Sequence, residues 1–452
     1  MLQKGALILR SRNSTWLSGF IIALLLTQVW LNQRQAQPYM DELYHFPAAN
    51  AFCSGMPGGV GKGNYTFVDW ARITTPPGSY VFGCLPCWLW QGAKRESCPL
   101  WLWRVLLGTL PLTLVARELL SMPHVSPLDA SILCTFLPLF FAGQLCYTDC
   151  LALWWYVRAW RKQLGQRPRA PWQSSVCGLL ATATRQSYVI WHAFLGWVAL
   201  MRSEGSERVE VVVAHGTAGT IYGLFFLWRL VVQKKGVYFG DSERHEPAWH
   251  WSNCLYCSAV WFTCAGGWRV MAPSGTTRFP APIACRRFAS GLRQYWPRIL
   301  ILFVCVTIAL LKGTYVHPFV LADNRHYVFY FFRYFILPNR WRRFLFLPIY
   351  VLSTSSWWRR IQSAAKSERI AISLATILTL VPCRLVEMRY FIPPVMTTEI
   401  LTSKERKRSA DIAAMLLNLL LTIVCLGIFL EKPFERPSDL HIYDPSPGRF
   451  MP

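Results

Sequence analysis

Two carboxylates and an imidazole fall within five residues of each other in Pro38-Tyr39-Met40-Asp41-Glu42-Leu43-Tyr44-His45. Moving a sugar from a phosphate to a hydroxyl needs a general base at the acceptor oxygen. A carboxylate whose pKa is raised by partial burial suits that task. The same residues also suit an ordinary helix start, since Asp ahead of apolar residues is a common N-terminus. A second polar stretch, Asp69-Trp70-Ala71-Arg72-Ile73-Thr74-Thr75-Pro76-Pro77-Gly78, is stiffened by proline. Arg72 can pair with a phosphate there, or the stretch serves only to position the next helix.

His317, Asp323, Asn324, Arg325 and His326 crowd into ten residues directly after an apolar run. Polar groups at a membrane boundary are costly unless paired or used, and a phosphate or sugar site would want these donors and acceptors. The histidines raise the question of a metal, but no matching cluster completes a ligand set. Three smaller islands interrupt or border apolar runs: Tyr147-Thr148-Asp149, Thr184-Arg185-Gln186-Ser187 and Glu387-Met388-Arg389-Tyr390-Phe391. Ionisable residues in such places are functional candidates by default; the plainer account is mutual pairing, for instance of Glu387 with Arg389 or Arg384.

The elements that must hold these residues are membrane helices. Of 452 residues, 53% are hydrophobic and only 15% charged, with 22 Trp and a mean hydropathy of +0.26. Soluble chains carry about a quarter charged residues. The net charge of +24 sits between apolar spans, as the positive-inside rule and anionic lipids require, and no nucleic-acid module accompanies it. Lys4, Arg10 and Arg12 precede the apolar run Trp16–Trp30, which ends without a small-residue cleavage site. This predicts an uncleaved signal anchor over 16–32 and a luminal first loop over 33–77. The loop contains the glycosylation pattern Asn64-Tyr65-Thr66, whereas a second match at Asn13-Ser14-Thr15 falls on the cytosolic side.

Further spans are expected near 79–92, 99–117, 131–157, 176–200, 211–232, 254–271, 298–316, 344–358, 370–388 and 412–430, ahead of a polar tail at 432–452. That makes one membrane-embedded domain with roughly ten to thirteen spans; whether 131–157 is one helix or two is open. No phosphate-binding glycine loop occurs, so direct use of a nucleotide is disfavoured. The 15 cysteines include Cys84/Cys87 and Cys254/Cys257 in C-x-x-C spacing. Lying in aromatic, apolar stretches, they read as buried thiols rather than zinc ligands, with a luminal disulfide as the other option.

Taken in order, Pro38 to His45, Ile73 to Gly78, Tyr147 to Asp149, Arg185-Gln186, Gly240-Asp241-Ser242, the run His317 to Tyr330 and Glu387 to Phe391 resemble the endoplasmic-reticulum α-1,2-glucosyltransferase family over about residues 16 to 451. The chain departs from the family at Gly240-Asp241-Ser242-Glu243-Arg244-His245, which replaces the usual Gly-Asp-Lys block and lacks its Lys, and at Met451-Pro452, where a tryptophan is usual after the methionine. The resemblance implies an all-α polytopic GT-C glycosyltransferase in the endoplasmic-reticulum membrane, with a luminal site. It implies dolichyl-phosphate glucose as donor substrate, a diglucosylated dolichol-pyrophosphate oligosaccharide as acceptor, and inversion at the anomeric carbon. It requires no cofactor or metal. Asp41 is then the expected base, with Glu42 and His45 orienting it or binding sugar. His317, Arg325 and His326 would face the donor phosphate; Arg185 and Arg389 would be further phosphate or pyrophosphate ligands. Arg72, Thr74, Thr75, Asp149, Gln186, Asp323, Asn324 and Tyr390 complete the expected substrate-binding set. The competing accounts are a related transferase using mannose, and a transporter or lipid scramblase. Transport predicts charge at mid-membrane; transfer predicts it at the luminal boundary.

Overall fold

The computed structural model describes residues 2–53, 73–94, 97–165, 169–233, 247–271, 297, 299–403, 408–435 and 447–452. Among these the chain is helical, with two isolated β-bridges and no strand. The long elements are α1 (Leu2–Arg34), α2 (Glu42–Cys53), α3 (Gly78–Lys94), α4 (Leu100–Leu120), α5 (Asp149–Gln163), α6 (Pro171–Thr184) and α7 (Tyr188–Met201). They continue as α8 (Gly205–Val231), α9 (Ser252–Cys264), α10 (Ile299–Lys312), α11 (Leu347–Ile361), α12 (Lys366–Leu380), α13 (Ile392–Leu401) and α14 (Arg408–Glu431).

Four segments have the length and hydropathy to cross a bilayer: Asn13–Arg34, Leu100–Leu120, Gly205–Val231 and Ser409–Glu431. Leu25, Leu26 and Val29 of α1, Leu224 and Leu227 of α8, and Leu416, Leu420 and Ile423 of α14 stay exposed. Apolar side chains left outside in this way mark the lipid-facing surface. The protein is therefore a helical membrane protein. The other apolar stretches form helices shorter, among the described residues, than the roughly 20 residues of an unbroken span.

The cuts have local causes. The stretch 131–157 is neither one helix nor two: it divides into Pro127–Cys134, Leu137–Ala142 and α5. Pro138 at the start of the middle piece cannot extend a preceding helix. The stretch 176–200 breaks between α6 and α7 at Arg185-Gln186-Ser187. In α4, Pro111 follows a π turn at Val105–Thr109, which accommodates the missing N–H and the clash one turn back.

Helix ends define the two faces. Asn13 donates to the Leu120 carbonyl at 3.5 Å, and Arg104 donates to Asn32 Oδ1 at 2.8 Å and the Gln35 carbonyl at 2.7 Å. So α1 and α4 are antiparallel. Glu431, ending α14, pairs with Arg34 at 3.1 Å, which brings a third helix end to the same face. The expected span 79–92 is corrected by this arrangement. Tyr80, at the start of α3, bonds His45 at 2.7 Å beside the Arg34 end, and α4 begins again at that end a few residues after α3, so α3 does not cross between them. The described residues between α1 and α4 are thus α2, α3 and their flanks. Here α2 and α3 run side by side, joined by a Cys53–Cys84 disulfide. At the opposite face, Arg269 holds Asp411 at 2.8 Å and Glu399 at 3.2 Å, and Arg360 reaches Glu399 at 3.0 Å.

Candidate active site at the helix ends

Asp41 owes its position to its neighbours. Met40 adopts φ 55°, a left-handed conformation that costs a residue with a β-carbon on the order of 1–3 kcal/mol unless its surroundings impose it. Glu42 imposes it. Its oxygens accept from Tyr39 N at 3.0 Å, Arg104 Nε at 2.9 Å, Arg104 Nη2 at 2.7 Å and Cys146 N at 2.7 Å. With its side chain 0% exposed, Glu42 faces away from the cavity, and Asp41 is turned into it.

Across the cavity mouth, the short 3₁₀ turn Met388–Phe391 presents Arg389. Its guanidinium donates to both Asp41 and Glu387 and lies over the Tyr147 ring at 5.4 Å and the Tyr390 ring at 5.8 Å. Burial alone would raise the Asp41 pKa. The charge and hydrogen bond of Arg389, helped by His45 and His326, overcome it and pull the carboxyl down to about 2.

His45 sits one turn into α2, buried, sharing a 2.7 Å hydrogen bond with the Tyr80 hydroxyl. This bond ties the start of α3, just after the Pro-stiffened stretch, to the turn of α2 that follows Asp41. Burial is the main reason that His45 falls to about 4, despite the pull of Asp41 in the other direction. The imidazole is neutral at pH 7. Behind it, Asp149 opens α5 and pairs with Arg185 at 2.5 Å. Gly78 is needed for this packing, because a Cβ there would meet the Ala183 carbonyl oxygen at 2.5 Å.

The third side is the run after α10. His317 caps the turn Pro318–Ala322 by accepting from Phe319 N at 3.1 Å. Arg325 forks onto Asp323 at 2.7 and 2.8 Å and lies over Tyr39 at 5.2 Å. A cavity of ≈ 580 Å³ results, lined by Asp41, Tyr44, Tyr147, Asp323, Arg325, His326, Glu387, Arg389 and Met451 among others. This is the size of a small-ligand pocket. It lies at the ends of α1, α4 and α14, not halfway along them.

The structure thus gathers Asp41, Asp323, Arg325, His326 and Arg389 around one space. It sets Glu42, His45, Thr74, Thr75, Asp149, Arg185, Gln186, His317, Asn324 and Tyr390 outside the lining. Arg72, the Asn64 glycosylation pattern and Gly240-Asp241-Ser242 lie outside the described residues. Cys84 bonds Cys53, not its C-x-x-C partner; Cys87, Cys254 and Cys257 are free thiols. No cluster of three or more metal-ligating side chains occurs among the described residues. Sequence reasoning missed Arg104 and Met451. Arg104 reads as one more basic residue near a span, and Met451 carries no chemical signal.

The model of the DIE2/ALG10 family matches residues 35–220 and 207–400, and the blocks that build this cavity up to Arg389 fall inside them. The chain belongs to the DIE2/ALG10 family. Named relatives include the Dol-P-Glc:Glc(2)Man(9)GlcNAc(2)-PP-Dol alpha-1,2-glucosyltransferase of Emericella nidulans, 27% identical over 73% of this chain. The chain spans 65% of that relative's length. The Homo sapiens protein of the same name is 22% identical over 94% of this chain and 96% of its own. The Arabidopsis thaliana one is 23% identical over 92% and 97%. No solved structure matches. DIE2/ALG10 membership accounts for the order of the sequence blocks, of which those at Asp41, Tyr147, Asp323 to His326 and Glu387 to Arg389 line the helix-end cavity.

Proposed function

We propose that this protein transfers glucose from dolichyl-phosphate glucose to the Glc(2)Man(9)GlcNAc(2) chain on dolichyl pyrophosphate, adding the α-1,2-linked terminal residue. The observation that carries the reading is the Asp41–Arg389 pair facing a cavity at the helix ends, in a chain of the DIE2/ALG10 family. Both substrates are lipid-anchored, so their reacting ends lie at a membrane surface. A site level with the ends of α1, α4 and α14 meets them there. Mid-membrane charge, which transport would favour, is not what this arrangement resembles.

The acceptor 2-hydroxyl attacks the anomeric carbon and gives its proton to Asp41, while the carbon–oxygen bond to phosphate breaks in line. One displacement turns a β-linked donor into an α-linked product without a covalent sugar intermediate, by the base logic of inverting enzymes. The phosphate leaves with added negative charge, and Arg389, Arg325 and His326 are the groups placed to stabilise it. Arg389 has a double part. While it holds Asp41 the carboxylate is a weak base; as the phosphate draws it away, Asp41 becomes more basic at the moment a proton must be taken. The setting is the GT-C architecture in the endoplasmic-reticulum membrane, with the cavity, α2 and α3 on the luminal side. The test is transfer by purified protein given both lipid substrates, with product read by mass and dolichyl-phosphate mannose as the competing donor. Transfer from the mannose donor alone would replace the reading.

A further inference from the structure

The segment Gly448–Met451 lies more than 400 residues from Asp41 in sequence, yet it is built into the same cavity. Arg449 is 5% exposed. Its Nη1 donates to the carbonyls of Phe429 at 2.8 Å and Leu430 at 2.7 Å, its Nη2 to the Arg34 carbonyl at 2.7 Å, and its Nε to Gln35 Oε1 at 2.8 Å. These carbonyls are the unsatisfied, partially negative ends of α14 and α1, where a cation is favoured. The backbone of Arg449 is tied as well: its N–H donates to the Tyr39 hydroxyl at 2.8 Å, and that hydroxyl donates to the Arg449 carbonyl at 2.5 Å.

Beyond Arg449 the chain reaches the other half of the site. Met451 N donates to the Arg325 carbonyl at 2.8 Å, and Tyr327 N donates to the Met451 carbonyl at 3.0 Å, flanking His326 on both sides. Met451 itself lines the cavity. On the near side Gly448 pairs with Phe434, and a Cβ there would fall 2.4 Å from that ring. One short segment therefore joins Tyr39, two residues before Asp41, to the backbone that presents Arg325 and His326.

We propose that Gly448–Met451 is a wall of the substrate cavity and that Arg449 is the positioning residue that fixes it, setting the separation between Asp41 and the Arg325–His326 edge. This rests on the glucosyl-transfer reading for its kinetic consequences, but not for its structural one. Six hydrogen bonds between Arg449 and five residues are more than a surface tail requires, and the planar fork of Arg is the side chain that can serve several carbonyls at once. Lys offers one nitrogen and cannot replace it fully.

Two measurements on the purified full-length chain test this. In steady-state transfer, Arg449→Ala lowers kcat about tenfold or more, as expected when reacting groups are displaced by about an ångström. Arg449→Lys recovers part of the loss, and Met451→Ala raises KM for one lipid substrate with the melting temperature unchanged. The second measurement needs no turnover: Met451→Cys is alkylated with a membrane-impermeant maleimide, and incorporation at that position is read by peptide mass. Labelling is slow when Arg449 is present and fast when Arg449→Ala is added. Equal labelling rates overturn the positioning role even if the protein proves to carry another activity. Full transfer by the alkylated Met451→Cys protein, or equal losses of activity and melting temperature with KM unmoved in every variant, overturns the cavity wall. Absence of transfer by wild-type protein with unequal labelling rates sinks the glucosyl-transfer reading and leaves the positioning role standing.

Discussion

The Arg389 guanidinium donates to the Asp41 carboxylate across 348 residues of sequence. Glu387 holds the same guanidinium from the other side, so one cation is shared by two carboxylates. That leaves Arg389 firmly charged and leaves Asp41 with an acid strength far above an ordinary carboxyl.

Asp41→Asn keeps the size of the side chain and removes the base. Transfer is expected to fall by about 10²–10⁴, the usual weight of a general base, with the melting temperature in detergent close to wild type. Retained transfer by a folded Asp41→Asn protein would move the base elsewhere.

Arg389→Gln removes the group that outweighs burial at Asp41, so the carboxyl pKa rises from about 2. A base works deprotonated, and activity is lost as pH falls through its pKa. The acid limb of kcat/KM, below the workable range in wild type, should therefore move up towards neutrality in Arg389→Gln. An overall fall in rate with an unmoved acid limb would show that Arg389 does not tune Asp41.

His45 has a folded-state pKa of about 4 against an ordinary 6.5. Above 6.5 it is neutral in both states and contributes nothing to pH dependence. As pH falls from 6.5 towards 4 the unfolded chain takes up a proton that the folded one refuses, so stability drops, by roughly 3 kcal/mol at the limit. Melting temperature should decline between pH 7 and pH 5, and His45→Gln should flatten that decline.

Glu42→Gln leaves Arg104 buried without its counter-charge, a loss of about 3–5 kcal/mol for a pair fully removed from water. The variant should express poorly or melt early, and its residual activity per folded molecule should also fall, because the carboxylate that holds Tyr39 N, next to Met40, is altered. A stable, fully active Glu42→Gln protein would refute the anchoring role.

Cys53→Ser opens the bridge between α2 and α3, which closes 31 residues of sequence. Chain-entropy reasoning puts the loss at about 3–4 kcal/mol. Wild-type protein should show the same drop in melting temperature on reduction, and Cys53→Ser should show none further.

The sequence singled out residues that the fold brings together more readily than it showed their frame. Asp41, Arg325, His326 and Arg389 stand out because charged groups beside apolar runs are costly, and that cost is visible in one dimension. Glu42 looks equivalent to Asp41 by every local measure; only the buried Arg104, 62 residues away, shows that one carboxylate is structural and the other faces the cavity. Span boundaries were less legible. Hydropathy finds α3 apolar, because Val81, Leu85, Trp88 and Leu89 are indeed exposed, but a helix that stays on one side of the helix ends and one that crosses can share a composition. Proline breaks such as Pro138 were readable in principle, yet their effect depends on what packs against each fragment.

The bond between Tyr39 and Arg449 joins residues 410 positions apart, which puts a clock on biogenesis. At 5–20 residues per second, roughly 20–80 s separate the synthesis of the first partner from that of the second. Throughout that interval α1 can already be in the bilayer, with Asp41 made and Arg389 still to come for most of it. A nascent chain therefore has a membrane anchor and a carboxylate but no enclosed cavity, and only synthesis through Met451 can close it.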